Sequence, residues 1–233
     1  MPSGEPDGVV TTAFISYAGR DIAFAEMARD YLGICGVDAF FADDDIRAGR
    51  DWRKNLIDEI KNREYFVLLL SQLYHRGRFT DQEFGMAVAH DRKIIIVVMD
   101  HTEPYGFMKH YQHINMREWK DEVYKACAGL SKAAGEITGR AGGLGVDFNI
   151  QALGKSRYYA EANYNARIIL ESREAKNGGI TGTQINSIAG HYLENDQIHG
   201  ARSRWTVDLL RFLLAHPDHI GKERYAELAG PRL

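Results

Sequence analysis

Tyr65-Phe66-Val67-Leu68-Leu69-Leu70-Ser71 is a continuous apolar run that stops on a small polar residue. A strand apolar at every position has no solvent face, so it belongs inside a sheet covered on both sides. The same signature recurs on either side of it. Lys93 to Asp100 (KIIIVVMD) reads as a further interior strand, Val9 to Ser16 (VVTTAFIS) as an earlier one, and Val37 to Ala42 (VDAFFA) as an extended segment between them. The stretch around Gln112 to Met116 gives a short fifth. Helix-length segments separate them. Phe24, Met27, Ala28 and Tyr31 recur at i, i+3, i+4 and i+7, with Asp21 placed to cap the helix and Gly33 placed to end it. Trp52, Leu56 and Ile60 make a second stripe, Thr80 to His90 a third helix, and Trp119, Val123, Ala126 and Leu130 a fourth. Interior strands alternating with helices predict an α/β domain, a doubly wound parallel five-stranded sheet spanning residues 8–132.

Downstream, Gly139 to Gly145 (GRAGGLG) reads as a joint rather than a phosphate-cradling loop. No strong strand precedes it and no Gly-Lys-Ser/Thr closes it. Residues 133–233 then form a mostly helical region, with helices expected over Tyr158 to Lys176, Thr183 to Glu194, Trp205 to His216 and Lys222 to Ala229. Ile185, Ile188, Ala189 and Tyr192 in one segment, and Trp205, Leu209, Phe212 and Leu213 in another, fall on helical faces wide enough to pack against a core or a partner. From residue 136 onward 12 Lys and Arg stand against 11 Asp and Glu, and no cluster of catalytic groups is visible. The region is expected to shape assembly or sense a partner rather than perform chemistry.

Composition removes several classes. With 45% hydrophobic, 26% charged and 11% aromatic residues in 233, the chain is neither disordered nor fibrous. Cys35 and Cys127 stand far apart without Cys-x-x-Cys spacing, so they read as buried thiols of a chain kept in a reducing cytoplasm. The longest apolar runs, Phe66 to Leu70 and Ile94 to Met99, fall far short of the ~18 residues a membrane span needs, and Met1 to Gly8 has no signal-peptide pattern. A net charge of −3 removes the usual electrostatic reason to expect nucleic-acid binding.

In an open parallel sheet, ligands bind beyond the carboxyl ends of the strands, where loops converge and helix N-termini point. The relevant loops are therefore Ser16 to Asp21, Asp43 to Trp52 and Ser71 to Phe79, with the third helix opening on Thr80-Asp81-Gln82-Glu83. That tetrapeptide also fits a capping box, in which Glu83 folds back on the backbone of Thr80 and has no chemical role. Asp43 to Asp45 reads as a solvated acidic run, because the phosphoacceptor alternative wants an acidic pair where the chain has Tyr17 and Ala18. His216 and His219 lack a third metal ligand nearby and suit a helix end. No metal site is expected.

Phe14-Ile15-Ser16-Tyr17-Ala18 with Asp21, Phe40-Phe41-Ala42-Asp43 leading to Ile46-x-x-Gly49-x-x-Trp52, then Leu68-Leu69-Leu70-Ser71-x-x-Tyr74 and Glu83, resemble a prokaryotic Toll/interleukin-1 receptor (TIR) domain over about residues 10–125. The resemblance implies a flavodoxin-like fold. It also implies either a scaffold assembling through TIR to TIR contacts or an enzyme that cleaves the nicotinamide-ribose bond of NAD. A deoxyribosyltransferase on a related fold is a further alternative. In the enzymatic branch the resemblance makes Glu83 the catalytic residue, with an aromatic residue four positions before it, here Phe79 where the family often has Trp. It puts Ser16, Tyr17, Ala18, Arg20, Asp43, Gly49, Trp52 and Phe79 around the substrate. NAD is then substrate rather than cofactor, self-association and a trigger or downstream effector are the implied partners, and antiphage defence is the implied setting.

Overall fold

The computed structural model describes residues 10–42, 52–77, 79–116, 122–140, 144–200 and 203–230. Among these, five strands, β1 (Thr12–Ser16), β2 (Asp38–Phe41), β3 (Tyr65–Leu70), β4 (Lys93–Val98) and β5 (His113–Asn115), form one sheet in the order β2-β1-β3-β4-β5. Every pairing is parallel. This is the flavodoxin-like arrangement, with β1 and β3 adjacent at the centre.

The apolar runs explain the layering. Alternate residues point to opposite faces, so Phe14, Phe66, Leu68, Leu70, Ile94, Ile96 and Val98 share one face. They meet Leu56 and Ile60 of helix α2 (Trp52–Asn62) and Phe84 and Ala87 of helix α3 (Thr80–Ala89). The register sets Phe14 beside both Phe40 and Phe66, and the Phe14 and Phe66 rings stack at 5.6 Å. Helices α1 (Ile22–Ile34) and α4 (Glu122–Ile137) pack against each other, and α4 contacts β4 and β5. That approach is close: a Cβ on Gly129 would collide with the Met116 side chain and lie 3.3 Å from Val97 Cγ1.

The chain ends α1 later than its glycines suggest. Gly33 lies inside the helix, and Gly36 carries the left-handed φ of +80°. Gly36 N–H donates to the Gly33 carbonyl and Val37 N–H to the Leu32 carbonyl, each at 3.0 Å, which is a Schellman closure. The strands are shorter than the apolar runs that announce them, because pairing requires a neighbour and Val37 and Ala42 lie beyond the register of β1. Trp119 lies outside the described residues.

The chain divides into two units, Met1–Ala141 and Gly142–Leu233, so all of α4 belongs to the first. The sequence boundary at 132 falls inside that helix. The second unit comprises α5 (Gly145–Gly154), α6 (Tyr159–Glu171), α7 (Arg173–Lys176), α8 (Gly182–Glu194), α9 (Asp196–His199), α10 (Arg204–Leu214) and α11 (Lys222–Ala229). Its core joins Ile150 and Leu153 of α5, Ala166 and Ile169 of α6, Ile185 and Ile188 of α8, and Leu209 and Leu213 of α10. The two apolar stripes read from the sequence thus face one another within this unit. Leu209→Ala is expected to lower the stability of this unit by about 2–5 kcal/mol, since Leu209 is buried completely and leaves a cavity. The half-buried neighbour Leu210 should cost clearly less on the same change, and urea titration of both variants checks the difference. Among the described residues no helix is long and apolar enough to cross a membrane.

Candidate functional site

The carboxyl ends of β1 and β3 bring the first group together. Ser16 closes β1 with its hydroxyl buried, and α3 begins so that Glu83 lies in its first turn. Ser16 Oγ donates to Glu83 Oε2 at 2.6 Å and lies 2.9 Å from the Tyr74 hydroxyl. The Tyr74 hydroxyl also donates to the Thr80 carbonyl at 3.0 Å, while Thr80 Oγ1 donates to the Tyr74 carbonyl at 2.6 Å. Tyr74 is wholly enclosed and Glu83 is 2% exposed. A carboxylate in the first turn of a helix is favoured by the helix dipole, and burial strengthens that interaction.

This geometry bears on the capping-box reading of Thr80 to Glu83. Thr80 is the first residue of the helix rather than its cap, the cap position is Phe79, and no side chain caps the helix. The Thr80 hydroxyl is turned to Tyr74, and Glu83 N–H donates to the Phe79 carbonyl at 2.8 Å. The Thr80 half of a capping box is therefore absent, and the Glu83 carboxylate is held by a residue 67 positions away. A second brace acts on the same turn. The Tyr105 hydroxyl donates to the Asp81 carboxylate, and the His75 ring lies 3.9 Å from the Tyr105 ring. Burial, with the hydrogen bond to Asp81 and its charge, pushes the Tyr105 hydroxyl above the ordinary tyrosine range, so it remains a donor.

The other expected site residues are placed as follows. Tyr17 is buried, its hydroxyl donates to the Ala42 carbonyl at 3.0 Å and its ring meets Phe41 edge-on, so it ties the loop after β1 to the end of β2. Ala18 and Arg20 line a cleft of about 420 Å³ with Gly19, Leu73, Arg76 and Gly77. Phe79 is half-buried. Trp52 opens α2. Asp43 and Gly49 lie outside the described residues, as do Asp44 and Asp45. Sequence spacing does not mark Tyr74 and Arg76 as site residues, although Tyr74 stands in the Ser71-x-x-Tyr74 pattern. The Tyr74 partner Ser16 is 58 residues distant, beyond any local spacing rule.

Asp21 does not cap α1 with its side chain. It accepts a 2.5 Å hydrogen bond from Ser71 Oγ, linking the loops after β1 and β3, beside a smaller cleft of about 260 Å³ that Phe24, Met99, Asp100 and Met116 also line. Burial raises the Asp21 carboxyl above its ordinary 3.8, the Ser71 hydrogen bond opposing and the Asp100 charge adding. A carboxyl with a higher pKa folded than unfolded binds more protons in the folded state. Stability therefore falls as pH rises from the unfolded value through the folded one. Asp21→Asn keeps an acceptor for Ser71 and is expected to flatten that slope, read as urea midpoints from about pH 3.5 to about pH 6. An unaltered slope would assign the pH dependence elsewhere. The second unit supplies no comparable convergence among the described residues. Its His216 and His219 rings lie 6.5 Å apart, and His216 Nδ1 lies 2.7 Å from the Phe212 carbonyl at the end of α10.

Compared with known families, residues 13–128 match the family model described as a TIR domain. No curated protein matches the chain.

Proposed function

Residues 13–128 belong to the TIR domain family, and from that premise we propose that the protein is an NAD-cleaving enzyme in which Glu83 assists departure of nicotinamide. The observation that carries the reading is the Glu83 carboxylate, buried at the carboxyl edge of the sheet and oriented by Ser16 rather than used as a helix cap.

The chemistry suits one carboxylate. Ordinary glycoside cleavage uses an acid to protonate the leaving oxygen and a second carboxylate at the sugar. Nicotinamide leaves NAD as a neutral molecule from a cationic pyridinium, so no proton donor is needed. What remains is to stabilise an oxocarbenium-like ribosyl cation and orient its hydroxyls, which an ionised carboxylate in a partly dry site does well. Ser16 holds one oxygen of Glu83, and Tyr74 in turn supports Ser16. Phe79, four residues before Glu83, offers an aromatic face for the nicotinamide ring. If water attacks C1 of the ribosyl cation, ADP-ribose and a proton result; attack by a nucleophile of the same molecule gives a cyclic ADP-ribose. NAD serves as substrate, and the reaction requires no separate cofactor. Self-association through TIR to TIR contacts, a trigger or effector acting with the helical unit, and a role in antiphage defence complete the proposal, the last resting on the family resemblance alone.

Incubating the protein with NAD and with deoxynucleosides, and following products by chromatography, tests it. Release of nicotinamide from NAD supports the enzyme. Transfer between deoxynucleosides indicates a deoxyribosyltransferase. Inertness to both across a range of protein concentrations leaves an assembly module.

A further inference from the structure

Arg20 and Arg76 face one cleft from opposite banks. Arg20 lies in the loop that leads from β1 to α1, and Arg76 in the turn Tyr74–Arg76 that leads from β3 to α3. β1 and β3 are paired neighbours whose following helices pack on opposite faces of the sheet, so the cleft occupies the crevice where the strand order reverses. Among the described residues no carboxylate lines it, and neither guanidinium makes an ion pair or hydrogen bond. The contrast within the same unit is sharp: Arg63 is held by Asp38 and Glu59, and Arg92 by backbone carbonyls.

The backbone beneath the two side chains is fixed. Asp21 N–H donates to the Ala18 carbonyl at 2.7 Å, Arg76 N–H to the Leu73 carbonyl at 2.9 Å, and Gly77 N–H to the Tyr74 carbonyl at 3.0 Å. Gly77, which lines the cleft, packs tightly against the start of α3. A Cβ on Gly77 would come within 2.6 Å of Thr80 Cγ2 and 2.7 Å of Thr80 Oγ1. Both banks also continue into the Glu83 network, since Ser16 is four residues before Arg20 and Tyr74 two before Arg76.

We propose that Arg76 joins Arg20, already expected beside the substrate, in binding the pyrophosphate linkage of a dinucleotide, and that Arg76 selects for it; the inference rests on the NAD-cleaving reading for its substrate but not for its anion chemistry. Two guanidinium forks on separate loops match two adjacent phosphates, each able to take paired hydrogen bonds. At about 420 Å³ the cleft admits the diphosphate and part of a ribose but not a whole dinucleotide. A diphosphate seated there is tethered to the loops that carry Ser16 and Tyr74, so binding energy from the unreactive half of the substrate helps place the scissile bond.

Calorimetry on the full chain with inorganic pyrophosphate and with ADP-ribose tests the cleft without catalysis. Arg76→Ala and Arg20→Ala are each expected to weaken ADP-ribose binding tenfold or more, and Arg76→Lys less. Both positions are exposed, so the variants should keep the wild-type circular dichroism and unfolding midpoint. In turnover, Arg76→Ala should raise KM for NAD tenfold or more with kcat within about threefold, and leave cleavage of nicotinamide riboside, which lacks the diphosphate, unchanged. Wild-type affinity for both anions in Arg76→Ala overturns the inference even if NAD is cleaved. Arg76-dependent anion binding by a protein that never cleaves NAD upholds the cleft and overturns the enzyme.

Discussion

Glu83→Gln is expected to lower NAD cleavage by two decades or more while leaving the unfolding midpoint close to wild type. The two side chains have nearly the same volume, and the Gln carbonyl still accepts the Ser16 hydroxyl that lies 2.6 Å from Glu83 Oε2. The structural loss then includes one negative charge in the first turn of α3, worth about 0.3–1 kcal/mol. On the proposed reaction the chemical loss is larger, because the charge would face a developing ribosyl cation in a site screened from water, where removing one electrostatic contact typically costs about 10²–10³ in rate. Nicotinamide release and urea unfolding, measured on the same preparation, separate the two. Wild-type turnover in Glu83→Gln would reduce Glu83 to a structural acceptor for Ser16. Loss of turnover accompanied by a midpoint shift of several kcal/mol would point to a folding defect instead.

What the sequence discloses and what it conceals follows from the range of the forces involved. Phe66 to Leu70 and Ile94 to Val98 are apolar throughout because both faces of the sheet are covered, and that signal is local, so the sheet is legible in the order of the residues alone. Capping is also local, yet two similar tetrapeptides have different fates. Thr181-Gly182-Thr183-Gln184 forms the capping box at the start of α8, with Gln184 N–H donating to Thr181 Oγ1 at 3.3 Å. Thr80-Asp81-Gln82-Glu83 does not, because Tyr74 takes the Thr80 hydroxyl and Ser16 takes the carboxylate. Partners 6 and 67 residues away outcompete the intrinsic preference, and no window short enough to read by eye contains the second of them. Glycines mislead in a related way. Gly145 and Gly154 bound α5, which the residue pattern does not announce, since Gly139 to Gly145 reads as a joint and nothing marks a helix before Tyr158. The expected single helix from Tyr158 to Lys176 breaks at Ser172, whose extended backbone (φ −60°, ψ 157°) lets its hydroxyl accept from Ala175 N–H. Cleft residues such as Arg76 leave no periodic trace at all, because only the strand order brings the loops after β1 and β3 together.

Tyr74 links packing to the site most directly, and its two truncations are expected to diverge. Tyr74→Ala empties a completely enclosed ring position and should destabilise the first unit by about 3–5 kcal/mol. Tyr74→Phe keeps the ring and removes only the hydroxyl that lies 2.9 Å from Ser16 Oγ and donates to the Thr80 carbonyl. That hydroxyl is a donor at any working pH, since burial holds its ionisation well above the ordinary tyrosine range. Its removal should cost about 1–3 kcal/mol for a buried acceptor left unmatched. The hydroxyl that packs 2.9 Å from Ser16 Oγ is lost with it, so Ser16 gains room to turn and, on the proposed reaction, the Glu83 carboxylate would be less well oriented for the ribosyl cation. The expected kinetic signature is a fall in kcat of roughly tenfold with KM for NAD unchanged, because the brace acts on orientation in the transition state rather than on ground-state binding. A stability loss with wild-type kcat would make Tyr74 a core residue that happens to adjoin the site. A matching rise in KM would move its influence to the arginine cleft two residues further along the chain.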